Sequence, residues 1–539
     1  MKSGKESRGL LRFLALFALV GLLTTLWSLA SPLISVPDEQ AHVIKAAAVV
    51  RGQLRGDSGV AQGERTQVLV PQYIASTDKL QTCYAGNALL TADCSPSLPS
   101  DTTIVRALTS AGSYNPMYYA VAGIPSLFMS GDEAVYTMRI VSGLFTAAFI
   151  AVALFSLSGL RRWRAPLFVG TFAITPMVLF LSGAVNPNSL EVATSMAMFC
   201  ALSLTWERVE SRASWKVPLA LAAMSAVVLA NTRAASLLWL ALGVTASLLI
   251  FGYRPMVSVL RHRFVWAMAA VVALGCALSL IWLRYANSLQ NLVGNGSEDP
   301  PVQIVAVMLD RTFDFATGYV SYLGWLDTLG PTGVLAVWAA LIIGAVCAAL
   351  SIGNRPGRLA VGFLLTAVVA LPPILQIPLA KDVGIIWQGR YILALVVVLI
   401  AASGIAVRSF TVGQADSARR ASAVLLTVMV FGHFYAFING MRRYVIGLED
   451  RSNWSDMVTA PRWEPPLGWI TLTIAYLAVL LVAAVLLHHW VSRPAGMLPE
   501  ESGVQPTARS VSPMRRLRTE KKNAERVKAP AADAQRPEA

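Results

Sequence analysis

Apolar residues run through this chain in blocks of about twenty, separated by short polar punctuation, almost from end to end. A helix needs roughly 20 such residues to cross the hydrocarbon core of a bilayer. Twelve windows meet that need: 10–30, 138–159, 164–183, 187–206, 215–231, 234–252, 264–283, 332–351, 358–380, 391–408, 420–438 and 467–490. The pattern predicts an all-α, polytopic membrane protein over residues 1–490, with long loops at 31–137 and 283–331 and a disordered basic tail at 491–539. The first window is read as a retained span, because its apolar run is long and no small-x-small cleavage site follows it. A further apolar stretch, 116–130, is short and interrupted by Gly123 and Pro125. It reads as an interfacial helix within the first long loop, not as a thirteenth span.

Composition agrees. The chain is 55% hydrophobic and 14% charged, with a mean hydropathy of +0.58, far from the balance of a soluble domain. Basic residues then orient it. Lys2, Lys5, Arg8 and Arg12 precede the first window, and counting the windows with alternating sides puts Arg161 to Arg164, Arg208 to Lys216, Arg254 to Arg263, Arg355 to Arg358, Arg419-Arg420 and the tail on that same side. The positive-inside rule places all of these, and both termini, in the cytoplasm. The net charge of +14 is thereby explained by topology and attraction to anionic lipid, without a nucleic-acid partner. Cys200, Cys276 and Cys347 fall within windows, as small buried hydrophobes; Cys83 and Cys94 share the first exported loop, where a disulfide is expected.

The long loops and the polar motifs all fall on the side away from the cytoplasm. Pro37-Asp38-Glu39-Gln40-Ala41-His42 opens a segment, 39–50, that suits a helix lying on the membrane surface, with His42 one turn after Asp38. From spacing alone, Asp38 is as readily a helix cap as a functional carboxylate. Val185-Asn186-Pro187-Asn188-Ser189 forms the next turn on that side, with Glu191 just inside the following window. Asn231 and Arg233 occupy another. The loop before the eighth window carries Asp310, Arg311, Asp314, Tyr319, Tyr322 and Gly324-Trp325-Leu326-Asp327, and Trp387-Gln388-Gly389-Arg390-Tyr391 stands at the head of the tenth. Aromatics there suit either a headgroup belt or a sugar platform; an arginine suits a phosphate or a membrane anchor. Carboxylates, an imidazole and arginines on one face are what transfer of a group from a phosphorylated lipid would need.

Four ordered segments carry a resemblance: Pro37-Asp38-Glu39-Gln40-Ala41-His42, Val185-Asn186-Pro187-Asn188-Ser189, Leu323-Gly324-Trp325-Leu326-Asp327 and Gln388-Gly389-Arg390-Tyr391. They resemble the bacterial membrane family catalogued as domain of unknown function 2142, over about residues 10–490. That family is similar in layout to the GT-C glycosyltransferases, such as the protein O-mannosyltransferases and the aminoarabinose lipid A transferases. The resemblance implies a bacterial cytoplasmic-membrane enzyme that moves a sugar from a polyprenyl-phosphate carrier to an envelope glycan or lipid. Asp38 matches the acidic position proposed as base there, with Glu39 supporting it or binding a divalent metal. Arg390 and Arg233 would meet the lipid phosphate, with His42, Asn186, Asn188, Trp325, Asp327, Gln388 and Tyr391 around the substrate. Asn115-Pro116-Met117-Tyr118-Tyr119 resembles a GT-C segment but departs from it at Asn115, and Asn188 stands where the family often has Asp. No nucleotide-binding glycine loop is evident, consistent with a lipid-linked donor. The rival readings are a transporter or flippase of polyprenyl-linked glycans, which would carry charge deep in several windows, and an envelope scaffold. The enzyme reading requires Asp38, Asn188, Asp327 and Arg390 to line one site.

Overall fold

The computed structural model describes residues 2–57, 65–288, 296–409, 415–448 and 454–492; the expected tail falls, beyond Ser492, outside them. Each of the twelve apolar windows is helical. Among the described residues nine helices are long and apolar enough to cross a membrane. In chain order these are the first span (Gly9–Ala30), the second (Gly131–Ser158), the fourth (Pro187–Glu210), and the seventh to twelfth (Arg263–Tyr285, Thr332–Ile352, Arg355–Val383, Gly389–Ala406, Arg419–Val445 and Trp469–Ser492). The fifth, Lys216–Ala230, and sixth, Ser236–Phe251, are apolar but only 15 and 16 residues long.

The third is broken. Arg164–Ala173 and Pro176–Ser182 meet at 64°. Pro176 has no N–H to donate and pushes Thr175 into the extended region. Thr175 uses the break twice: its hydroxyl accepts from Val178 N at 3.2 Å and donates to the Tyr319 carbonyl at 2.7 Å. The freed backbone is thus satisfied inside protein, as membrane depth demands.

Between the first and second spans the chain builds a polar layer. Glu39–Val49 is helical, close to the boundaries expected, but every one of its residues is buried. It does not lie on a surface. Strands Thr66–Pro71 and Ile104–Thr109 pair antiparallel, Thr66 opposite Thr109, and pack on it together with helix Met117–Ala122. Close approach is possible because Gly123 has no side chain: a Cβ there would stand 2.2 Å from the Ala46 carbonyl oxygen. Lys45, also buried, donates to the Leu54 and Gly112 carbonyls at 2.6 and 2.7 Å, and burial lowers its pKa to about 7. Cys83 and Cys94 are disulfide-bonded within this layer, Cα atoms 6.0 Å apart. Of the other cysteines Cys200 is buried, whereas Cys347 lies on an exposed face of the eighth span and is not the buried hydrophobe expected.

Hydrogen bonds tie the first loop to each later turn on the same side of the alternation. Glu39 accepts from Val185 N, Asn115 donates to Asn231, Trp282 to the Ser113 carbonyl, Trp325 to the Ile34 carbonyl, Arg390 to Asp38 and Arg443 to the Leu90 carbonyl. Turns on the other side meet each other, as where Arg161 N donates to Glu207. The 116–130 segment holds no helix long enough to cross a membrane. It splits at Gly123 into Met117–Ala122 and the short turn Ile124–Leu127, and both its flanks stay in the polar layer: Asn115 on Asn231, and the Met129 carbonyl accepting from Tyr73.

Candidate functional site

Asp38 occupies the N-cap position of helix Glu39–Val49 in the left-handed region, φ 68°, a conformation that Asp tolerates better than most non-glycine residues. Its side chain makes no capping bond. The carboxylate turns to Arg390 instead, accepting from Nη2 at 2.7 Å. The two partners are unequally placed: the Asp38 side chain is 51% exposed and that of Arg390 only 2%. The carboxylate is therefore the open end of a buried guanidinium. Protein nevertheless surrounds Asp38 closely. That burial opposes its ionisation, but the guanidiniums of Arg390 above all and of Arg233 outweigh it and hold the carboxyl below its ordinary value.

Arg390 stands in the 3-10 turn Gly389–Ile392 that heads the tenth span. Gly389 sets its position, since a Cβ there would fall 1.9 Å from the Phe315 carbonyl oxygen. Asn188 donates to the Arg390 carbonyl at 3.0 Å, and Arg390 Nη1 donates to the Pro37 carbonyl at 3.3 Å; its Nε is buried without a partner in the protein. Arg233 arrives from the turn between the fifth and sixth spans, bonded to Asn188 Oδ1 and 3.4 Å from Glu191. Glu191, buried in the fourth span, also accepts from Ser236 and Trp239 at 2.7 and 3.0 Å. Tyr391 joins the two arginines: the guanidinium of Arg233 lies 5.3 Å from its ring centroid and that of Arg390 5.5 Å. His42, one turn along from Asp38, pairs Nδ1 with the Tyr119 hydroxyl at 2.8 Å and lies against Tyr114 and Tyr119. Burial drives its pKa down to about 3, so the ring is neutral at pH 7.

Asp38, His42, Asn188, Arg233, Arg390 and Tyr391 thus form one cluster. Asn186 supports it from beneath, accepting from Asn188 N at 3.0 Å and donating to the Pro37 carbonyl at 3.4 Å. Glu39 and Asp327 are placed elsewhere, so of the four residues expected to line one site Asp38, Asn188 and Arg390 meet and Asp327 does not. Glu39 is fully buried and takes a two-pronged bond from Arg139 of the second span, Nε at 2.7 Å and Nη2 at 2.6 Å. The same guanidinium donates to the Ser28, Ser31 and Pro32 carbonyls. Glu39 is a buried anchor with no surface to offer a substrate. Asp327 pairs with Arg443 at 2.9 Å and accepts from Gly86 N at 3.0 Å, clamping the disulfide loop. Trp325 packs beside it with its indole on Ile34, and the Gln388 amide oxygen is buried without a partner. Arg311 pairs locally with Asp314 at 3.9 Å, and both are exposed. A divalent cation does not fit: the paired carboxylates are each already matched by a guanidinium, and among the described residues no three His, Cys, Asp or Glu side chains converge.

Glu191, Arg139, Arg443, Tyr114 and Tyr119 were the residues whose part could not be assigned from spacing. Arg139 gave little signal in sequence, since it stands at the edge of its apolar window, and only the helix start at Gly131 places it eight residues inside the second span.

A bundle of apolar helices bearing one polar cluster at one end defines a polytopic membrane protein with a one-ended site. The family model described as a predicted membrane protein, DUF2142, matches residues 21–399, and the chain belongs to that family. Among solved structures it is similar to that of ArnT from Cupriavidus metallidurans bound to undecaprenyl phosphate, at 13% identity and a TM-score of 0.44, covering 89% of this chain and 76% of that one. A likeness so distant carries no assignment of residues. No curated protein matches the chain.

Proposed function

We propose that this protein is a GT-C-like glycosyltransferase of the bacterial cytoplasmic membrane, which moves a sugar from a polyprenyl-phosphate carrier to an envelope glycan or lipid on the side away from the cytoplasm. The observation that carries this reading is the half-open Asp38 carboxylate set on Arg390, with Arg233 on the same tyrosine ring. The acceptor hydroxyl attacks the anomeric carbon, the bond from that carbon to the phosphate oxygen breaks, and polyprenyl phosphate leaves. Asp38 takes the hydroxyl proton, and the two guanidiniums receive the charge that gathers on the departing phosphate. His42, neutral and fixed by Tyr119, orients the acceptor.

A flippase would set charges through the depth of the bundle. The cluster instead gathers where the first loop meets the ends of the spans, which favours chemistry at one face. The basic residues of the opposite turns support a cytoplasmic placement of that end and of both termini. The test is glycan and lipid-linked sugar analysis of a deletion strain: a polyprenyl-phosphate sugar should accumulate and one envelope substituent should vanish, both reversed by the wild-type gene. Unchanged profiles would sink the reading.

A further inference from the structure

The cluster is electrically closed before any substrate arrives. Arg390 and Arg233 supply two positive charges, and Asp38 and Glu191 supply two negative ones. The other titratable groups facing Asp38 add nothing. His42, on its own helix, is neutral, and the hydroxyls of Tyr114 and Tyr119, from the segment packed over it, are pushed up by burial and stay protonated. Glu39, next in sequence, is spent on Arg139. A phosphodiester brought to Arg390 would add a negative charge with no counterpart. It would also find the guanidinium already engaged, since Arg390 is buried and its Nη2 donates to the Asp38 carboxylate, the more exposed partner of the pair. That contact is a single Nη2 bond, and the neighbouring Nε lacks a partner, so Arg390 is under-coordinated for a group that can bind an anion through two parallel bonds.

We infer that Asp38 is an internal counterion standing where the donor's phosphodiester binds: the ligand displaces its carboxylate from Arg390, and the displaced carboxylate becomes the base. The inference rests on the glycosyltransferase reading. It joins two events that would otherwise be separate, because a carboxylate released from its guanidinium gains proton affinity. In the empty protein Asp38 is a poor base; with the donor seated it is a competent one, nearer the range in which general bases work best. No covalent change is needed, and charge balances by exchange of one anion for another at Arg390.

The exchange predicts that removing the carboxylate improves binding. The probe is a short-chain prenyl methyl phosphodiester, whose single charge does not titrate between about pH 5 and pH 8, added to the full chain in nanodiscs and followed by calorimetry. Asp38→Asn keeps a residue suited to the left-handed backbone and should bind the probe roughly tenfold more tightly than wild type at pH 7.5, the scale of one lost ion-pair competitor. Wild-type affinity should strengthen several-fold as pH falls, because protonating Asp38 frees Arg390, whereas the Asp38→Asn profile should be flat. Equal or weaker binding by the variant, or a flat wild-type profile, overturns the exchange while leaving the glycosyltransferase reading standing, provided Arg390→Ala still abolishes binding. The wild-type profile decides the matter even if the variant does not fold. Absence of binding to every form would sink both. Inorganic phosphate binding wild type as well as the diester at pH 7.5 would mark a free-anion site and overturn the assignment to a lipid donor.

Discussion

Two adjacent acidic residues, Asp38 and Glu39, have opposite fates in this fold. One is half open and singly bonded; the other is sealed against Arg139. Their substitutions should separate cleanly. Asp38→Asn should cut sugar transfer on the order of a hundred- to ten-thousandfold, the usual cost of a lost general base, and should lower the melting temperature less than Glu39→Gln does, because the Asp38 carboxylate is half exposed and its pairing with Arg390 is partly screened by solvent. Glu39→Gln leaves a fully buried guanidinium without its counter-charge and should destabilise the protein by about 3–5 kcal/mol, read as a lower melting temperature in detergent. A reversal of that order would exchange their roles. Arg390→Lys should retain more transfer than Arg390→Ala, since lysine keeps the charge and loses the planar fork. Sequence pattern brought both carboxylates to notice through their place at the end of an apolar run. It could not rank them, because the deciding partners, Arg139 and Arg390, lie 100 and 352 positions away.

Elements were more legible than contacts. Helix Glu39–Val49 matched its expected limits to within a residue, since Pro37 and the acidic first turn announce a start. Its setting was misread. Small residues such as Ala41, Ala46, Ala47 and Ala48 suit a helix packed tightly on all sides as well as one on a lipid surface, and only the strands from 66–71 and 104–109 decide between the two. Neither strand stood out, because each is a brief alternating run within a long polar loop. Asp327 drew attention as part of a Gly-Trp-Leu-Asp motif, yet its partner is Arg443, so the motif marks a clamp on the disulfide loop. Cys83 and Cys94 should accordingly resist alkylation in intact cells until reduced. Gly389→Val offers a second check at this scale: its side chain would collide with the Phe315 carbonyl and shift Arg390, lowering transfer as far as Arg390→Ala does.

For the molecule as a whole, all twelve apolar windows are helical, and hydropathy was enough to find them, but among the described residues only nine hold helices long and apolar enough to cross a membrane, or ten if the bent pair is one span. The break at Pro176 and the shortness of the fifth and sixth helices were less evident, being matters of where a helix ends. Positive-inside orientation makes a direct forecast: reporters active only outside the cytoplasm should work when fused after Ser95 or Ser297 and stay silent after Arg358. A signal after Arg358 would invert the scheme.

The ties between the first loop and the later spans also govern when the protein can be finished. Residues 38 and 90 are made early, but their guanidinium partners Arg390 and Arg443 follow 352 and 353 residues later. At synthesis rates of about 5–20 residues per second, that is a wait of roughly 20 to 70 s. During it the disulfide, which spans 11 positions, and the pairing of Glu39 with Arg139, 100 positions on, can already form. The Asp38 carboxylate then stays unmatched until the tenth span enters the bilayer, so a chain halted before residue 389 should leave its first loop open to protease, and the nascent protein should be unfinished until nearly its last helix is in place.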